Sequence, residues 1–346
     1  MRITRSVHAE PIARHASTRA AKRATLLSCA LAALLGLSGA MPASAQTPYP
    51  NKPVRLVVSY AAGNVTDLLA RIVADKLSEK WGQQLVVDNK AGQGGSLGAL
   101  IVAKAPADGY TLLFSAMAAL AINPHVYPNI GYDGVKDFAP IISIASPNLA
   151  IVVDPSLKVT SFKALVEYSK ASPNALSYGT AGNGTAPHLN MEALKLQTGL
   201  IAQHVPYKSA AAAMTDVMGG RLQIQQDSVS VFLPQIKAGR LTAIAAGNTK
   251  RLSQLPEVPS AAEAIPGFVP VVPWLGILAP VGTPANIVAK VSQDVHAILQ
   301  RSDVQEKLAA NGLIPTDEGP EAFTKSLASD HNRLGKLVRQ LAIKVD

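Results

Sequence analysis

The chain has 346 residues, a formal net charge of +9 and a single cysteine, Cys29. One thiol excludes a disulfide-stapled scaffold and a cysteine metal site, and this length is enough for two apolar cores. The charge is concentrated at the start: Arg2, Arg5, Arg14, Arg19, Lys22 and Arg23 face one acid, Glu10, and without residues 1–45 the balance falls by five, to +4, which removes the main support for a nucleic-acid partner.

Residues 1–45 read as a secretory leader. The basic stretch is followed by the apolar run LLSCALAALLGLSGAM and by a small-residue site ending at Ala45. The run is shorter than the roughly 20 residues a membrane span needs. Cys29 stands at the start of that run, where a lipobox cysteine would end one, and no Arg-Arg pair marks export of a folded protein. The expectation is general export, cleavage after Ala45 and a soluble periplasmic chain.

The mature part opens on a strand, a small-residue turn and a helix. Val54, Leu56, Val57 and Val58 form a β-branched-rich run, and Leu68, Leu69, Ile72, Val73 and Leu77 recur at helical spacing. Asn64 or Thr66 is placed to cap the helix, with Asp67 in its first turn. A helix start at the carboxyl end of a strand presents unpaired N–H groups to anions, so Tyr60–Asp67 is the first candidate contact. Leu85–Asp88 and Tyr110–Ser115 are predicted strands, and Ser96–Ala105 a helix. The turn GQGGSLG lacks the acid of a dinucleotide site and the Gly-Lys-Ser/Thr of a P-loop, so its glycines are assigned to a tight turn.

APIISIAS and NLAIVVDP follow as apolar runs, then a helix over Ser161–Lys170 and a strand over Ala175–Tyr178. The second loop, Gly179–His188, leads into a helix over Pro187–Thr198. The third runs from the strand Ile201–Val205 through Tyr207, Lys208 and Ser209 into Ala210–Met218. Leu222–Gln225 is a strand ending near Asp227, Val229–Ala238 a helix and Leu241–Ala246 a strand. A Pro-rich connector then leads to a strand over Pro270–Pro280, and Pro284–Gln300, Ser302–Asn311 and Pro320–Ile343 are predicted helices with Gly312 and Gly319 as punctuation. Crossings near Ile141–Ser146 and Val271–Ile277 would make a hinge, and three strand–loop–helix corners facing one cleft would bind a small anion.

Six stretches in this order resemble the substrate-binding receptors of tripartite tricarboxylate transporters, the Bug receptors: YPNKPVRLVVSYAAG, VVDNKAGQGGSLGA, APADGYTLLF, SYGTAGNGTAPHL, HVPYKSAAAAMTDVMGGRLQIQQDSVSVFLPQIKAGRLTAIA and WLGILAPVGTP. The resemblance covers nearly all of the mature chain. It implies an α/β, two-lobed type II periplasmic-binding-protein fold, with lobe 1 from 46–146 and 270–346 and lobe 2 from 147–269. It further implies capture of a small carboxylate and delivery to membrane permease subunits, with no enzyme activity, cofactor or metal, by a monomer. The family's usual Ala-Pro-Gly-Gly loop is here Ala61-Ala62-Gly63-Asn64, its Lys-Gly is Lys208-Ser209 and a Pro a few residues on is Ala212. Asn64 would have to tolerate positive φ for the turn to survive.

The ligand contacts so implied are Tyr60, Ala61, Ala62, Gly63, Asn64, Thr66 and Asp67 in the first loop; Thr180, Asn183, Gly184, Thr185 and His188 in the second; Tyr207, Lys208, Ser209 and Ala210 in the third; and Asp227. Each has a plainer reading beside it: Asp67 as a brace of the helix start, His188 as a structural hydrogen bond, Asp227 as a pin of the hinge, Lys208 as a solvated charge and the tyrosines as packing. A bulky residue at Gly184 is expected to abolish binding with little change in the melting temperature of the empty protein. Two rivals remain: a receptor that signals to a membrane sensor, and an enzyme, for which neither G-x-S-x-G nor H-E-x-x-H is present.

Overall fold

The computed structural model describes residues 48–343 except Thr249, so the expected leader and its cleavage point lie outside the described residues. Among the described residues, eleven strands form two sheets. In the first, β1 (Val54–Val58), β2 (Leu85–Asn89) and β3 (Thr111–Ala116) run parallel, and β10 (Leu275–Pro280) is inserted antiparallel between β3 and β4 (Phe138–Pro147). In the second, β6 (Ser177–Thr180), β7 (Gln203–Pro206) and β8 (Ile224–Ser228) run parallel, while β5 (Leu149–Val153) pairs antiparallel with β8 and with β9 (Thr242–Ala246).

The strand directions position the site. β4 has the sense of β1 to β3 and passes through Asn148 straight into β5, whose first residue lies level with the carboxyl end of β8, as the register Leu149↔Ser228 requires. The carboxyl edges of the two sheets therefore meet across Asn148. Open α/β sheets bind ligands outside that edge, where helix starts gather.

Apolar side chains bury both faces of each sheet. One face of the first sheet packs Val54, Leu56 and Val58 on Leu69, Val73 and Leu77 of α1 (Val65–Trp81). On its other face α2 (Ser96–Ala103) lies so close that a Cβ on Gly98 would stand 2.7 Å from the Ser59 Cα, which is why the glycine-rich turn is a packing device. The second sheet is covered by α3 (Phe162–Ala171) and α4 (Ala186–Thr198) on one face and by α5 (Ala210–Met218) and α6 (Val229–Lys237) on the other. The halves also touch away from Asn148. Ala186 and Leu189 of α4 join the cluster of Leu120, Ile122 and Trp274, and Asn190 exchanges two hydrogen bonds with the Val271 backbone, at 3.0 and 2.6 Å.

Two features depart from the sequence-based expectation. Leu313–Glu318 is a strand, β11, at the edge of the first sheet beside β4, where a turn between helices was expected. Pro315 hides it, because proline suits an edge strand and reads as a breaker. The strand expected over Pro270–Pro280 is restricted to β10, and Pro270 and Pro273 lie in the irregular segment before it. Three helices, α7 (Ala285–Leu299), α8 (Ser302–Ala310) and α9 (Pro320–Gln340), follow the predicted pattern to within a few residues.

Candidate functional site

The first loop is shaped by Asp67. Its Oδ2 accepts the Gly63 N–H at 2.9 Å and Arg71 Nε at 3.1 Å, and its Oδ1 accepts Asn89 Nδ2 at 2.9 Å. The same Asn89 amide reaches the Tyr60 carbonyl at 3.0 Å. Burial pushes the Asp67 carboxyl up, but the donors from Arg71, Gly63 and Asn89 outweigh it and hold it below the ordinary carboxylate value. Both oxygens are thus spent inside the loop, which favours the brace over a ligand contact. Asn64 caps α1, its Oδ1 accepting the Asp67 N–H at 3.0 Å. The positive φ falls on Gly63, at +83°, and Asn64 is extended at −86°, so the tolerance expected of Asn64 is not called upon.

That loop leaves donors to spare. Ala61, Ala62 and Gly63 are exposed, and no hydrogen bond among the described residues engages the N–H groups of Ala61, Ala62, Asn64, Val65 or Thr66. Thr66 itself is buried in the first turn, and Tyr60 turns its hydroxyl to the Gly94 carbonyl at 3.0 Å.

The second loop is held from within. Thr185 caps α4, and its hydroxyl also donates to the Gly182 carbonyl at 2.9 Å. Thr180 is buried, its hydroxyl between Gly182 O at 3.1 Å and His204 Nε2 at 2.8 Å. Gly184, at φ +73°, donates its N–H to His188 Nδ1 at 3.1 Å. The N–H groups of Asn183, Thr185 and Ala186 engage no described residue. Gly184 also faces the first lobe, since a Cβ there would lie 3.2 Å from Asn123 Oδ1 and 3.9 Å from Ile122 and Val126.

His188 is the front of a column of rings. It stacks on His204 at 4.0 Å and 18°, and His204 stacks on Tyr178 at 4.8 Å and 30°. The Tyr178 hydroxyl donates to Glu192 at 2.5 Å, and Lys195 reaches the same carboxylate at 2.7 Å. Burial lowers His188 to about 4 and His204 to about 3, so both rings are neutral in the folded protein at physiological pH. Because unfolded histidine titrates near 6.5, the folding advantage of the neutral rings is complete above that value and is lost as pH falls toward 4. Asp227 acts in the opposite sense over part of that range, but two histidines outweigh one carboxyl. The protein is therefore expected to lose stability on acidification from pH 6.5 to 4, and His204→Gln to flatten that limb; identical denaturation profiles for the two proteins would refute this.

In the third loop Ser209 caps α5 through the Ala212 N–H at 3.2 Å, and the Tyr207 hydroxyl is spent on Asp216 at 2.6 Å. The Tyr207 hydroxyl is thereby satisfied within its own lobe. Lys208 and Ser209 are exposed, and the N–H groups of Lys208, Ser209, Ala210 and Ala211 engage no described residue. Asp227 closes β8, with Oδ1 accepting the Ser228 N–H at 2.8 Å and Oδ2 buried without a partner.

The buried Asn123 lies outside every stretch singled out from sequence. Its Nδ2 donates to the carbonyls of Gln93 and Gly94, both at 3.0 Å, and to Ser96 Oγ at 2.9 Å, which pins the glycine-rich turn, while its Oδ1 is buried, unpaired and turned toward Gly184. An Asn-Pro pair at the start of a short helix was its one local signal.

Two α/β lobes joined where β4 passes through Asn148 into β5, with carboxyl edges opposed and helix starts gathered there, define a solute-binding receptor of the type II periplasmic-binding-protein class. The chain belongs to the tripartite tricarboxylate transporter receptor family, whose members are periplasmic binding proteins: residues 69–343 match the Tripartite tricarboxylate transporter family receptor. It is 34% identical to protein BugT of Bordetella pertussis over 308 residues, 88% of this chain and 94% of BugT. Among solved structures, Rpa4515 of R. palustris, determined with adipate, is 35% identical with a TM-score of 0.80, and the match covers 86% of this chain and all of that one. MatC of Rhodopseudomonas palustris, determined with bound malate, is 26% identical with a TM-score of 0.75, covering 84% of this chain and all of MatC.

Proposed function

We propose that this protein captures a small carboxylated solute between its lobes in the periplasm and hands it to the membrane permease of a tripartite transporter. The observation that carries the reading is the set of N–H groups that no described residue engages at three helix starts: Ala61, Ala62 and Asn64 before or at the start of α1, Asn183 and Thr185 before α4, and Lys208 to Ala211 around the start of α5. A charge-assisted hydrogen bond contributes roughly 1.5–3 kcal/mol net, and a helix start about 0.3–1 more. Micromolar affinity needs about 8 kcal/mol, so four or five such donors suffice without an arginine. Adipate in Rpa4515 and malate in MatC support a carboxylate as the class.

In this reading Gly63 and Gly184 shape the loops, Asp67 and His188 brace them, and Lys208 adds a solvated positive charge at the mouth. Lobe 1 comprises 46–146 and 270–346, lobe 2 comprises 147–269, and the leader is removed after Ala45. A ligand that contacts both lobes favours their closed arrangement only through contacts made better there. A receptor that reports to a membrane sensor would use the same closure; permease genes beside this one would favour transport.

The test is a thermal-shift screen of the protein purified after expression of the full chain, against di- and tricarboxylates, aromatic acids and their neutral amides. A ligand at a hundredfold excess over its Kd stabilises by about 2.7 kcal/mol. The expected result is a shift from an acid and none from its amide; equal shifts from both would overturn the carboxylate assignment.

A further inference from the structure

Unpaired buried polar atoms concentrate at one strand end. Gln225 Oε1, both side-chain polar atoms of Gln226 and Asp227 Oδ2 are buried without partners, and Asn148 Oδ1 and Ser146 Oγ are in the same condition at the neighbouring strand crossing. Native proteins pair nearly all such groups, because leaving one unmade costs its full desolvation. Alternation along β8 turns Gln226 to the opposite sheet face, so the unpaired atoms that share one face are Gln225 Oε1 and Asp227 Oδ2.

Asp227 has the most specific chemistry of this group. Alternation along β8 puts it on the same sheet face as Gln225, whose Nε2 donates to the Ala210 carbonyl at the start of α5, at 2.8 Å. Asp227 lies two residues further on, about 6–7 Å nearer the carboxyl edge, and so beyond the first turn of that helix and level with the third loop. Its partner across the sheet is Ala150, two residues past the crossing. No ion pair among the described residues includes it, and burial pushes its carboxyl up to about 6. The competing role, a pin of the hinge, finds no support in the contacts. Its one hydrogen bond reaches the N–H of the next residue and ties nothing across the lobes.

We propose that Asp227 selects, among small carboxylates, those that also carry a hydrogen-bond donor, a hydroxyl or an ammonium group, which its unpaired Oδ2 accepts. This rests on the carboxylate reading of the cleft. It makes the class of ligand a hydroxy or amino acid rather than a plain di-acid. An unpaired buried carboxylate is also a stability cost retained for binding, since charge without a partner favours the unfolded chain.

The experiment compares succinate, malate and aspartate, which share a four-carbon di-acid frame, by calorimetric titration at pH 7.5 against the wild type, Asp227→Asn and Asp227→Leu. Malate or aspartate is expected to bind the wild type at least tenfold more tightly than succinate. Asp227→Leu, which has no acceptor, should bring that ratio to within about threefold of one. Asp227→Asn separates the donors: preference for a hydroxyl partly survives in the amide, whereas preference for an ammonium group is lost. A melting scan without ligand adds an independent readout, with Asp227→Asn expected to melt higher than the wild type. Equal binding of the three acids to the wild type, or a preference that survives in Asp227→Leu, would overturn the selection and leave the carboxylate reading standing. Absence of binding by all three acids would overturn the selection, while the carboxylate reading falls only if the wider panel of acids also fails to bind, and a lower melting temperature in both variants would make Asp227 a structural pin.

Discussion

Gly184→Val is expected to abolish ligand binding, by a hundredfold or more in Kd, and to lower the melting temperature of the empty protein by a few degrees. Two independent effects combine at this position. Its φ of +73° is a conformation that a branched L-residue adopts at a cost of about 1–3 kcal/mol. The first added carbon would stand 3.2 Å from Asn123 Oδ1 and within reach of Ile122 and Val126, so the valine methyls would enter the contact between the lobes. The loop would have to withdraw, carrying with it the N–H groups of Asn183 and Thr185. The positive φ also corrects the sequence-based expectation of an unchanged melting temperature, since strain is present with or without ligand. Titration calorimetry and a melting scan on the same preparation separate the parts. A lowered melting temperature with wild-type affinity would take this loop out of the site.

Asp67→Ala should be the most damaging substitution in the first loop. It leaves the Gly63 N–H, the Asn89 amide and the Arg71 guanidinium without their common acceptor. Hydrogen bonds to a charged group contribute roughly 1.5–3 kcal/mol each, but Arg71 is half exposed and water reaches Gly63, so the expected loss is about 2–4 kcal/mol. For a chain of this size that is on the order of 3–6 °C. Affinity should fall at least tenfold, because the donors of Ala61 and Ala62 lose the turn that aims them. The linkage has a definite sign. The folded carboxyl is held low, so its stabilisation is present above the unfolded value near 3.9 and is lost as pH falls through the folded one. The difference in stability between wild type and Asp67→Ala should therefore shrink on acidification below about pH 4. A constant difference down to pH 2 would show that the carboxylate charge is not what holds the loop.

The first corner was legible because its causes are local. Val54 to Val58, the cap at Asn64 and the acid at Asp67 act within one strand, one turn and the start of one helix, and periodicity with capping chemistry reports such ranges. Thr185 and Ser209 cap the helices that follow them by the same local chemistry, a role the sequence reading passed over in placing them as ligand contacts. The bonds that finish the loops were not legible. Asn89 reaches Asp67 from 22 residues away, His204 reaches Thr180 from 24, and Asn123 pins Gly94 from 29. None of these partners stands out by residue type in its own neighbourhood. β11 was missed because an edge strand is defined by the strand it joins, and β4 lies far behind it in the chain.

Helix starts, turn glycines and the alternation of strands with helices follow from chain chemistry over a few residues, and with them the α/β class and the three small-residue corners. The opposition of the two carboxyl edges across Asn148, the seating of Gly184 on Asn123 and the unpaired oxygen of Asp227 depend on strand order and register. Those are decided by which apolar faces bury one another, a choice made among residues far apart in the chain, such as Leu149 and Ser228, that no local pattern encodes.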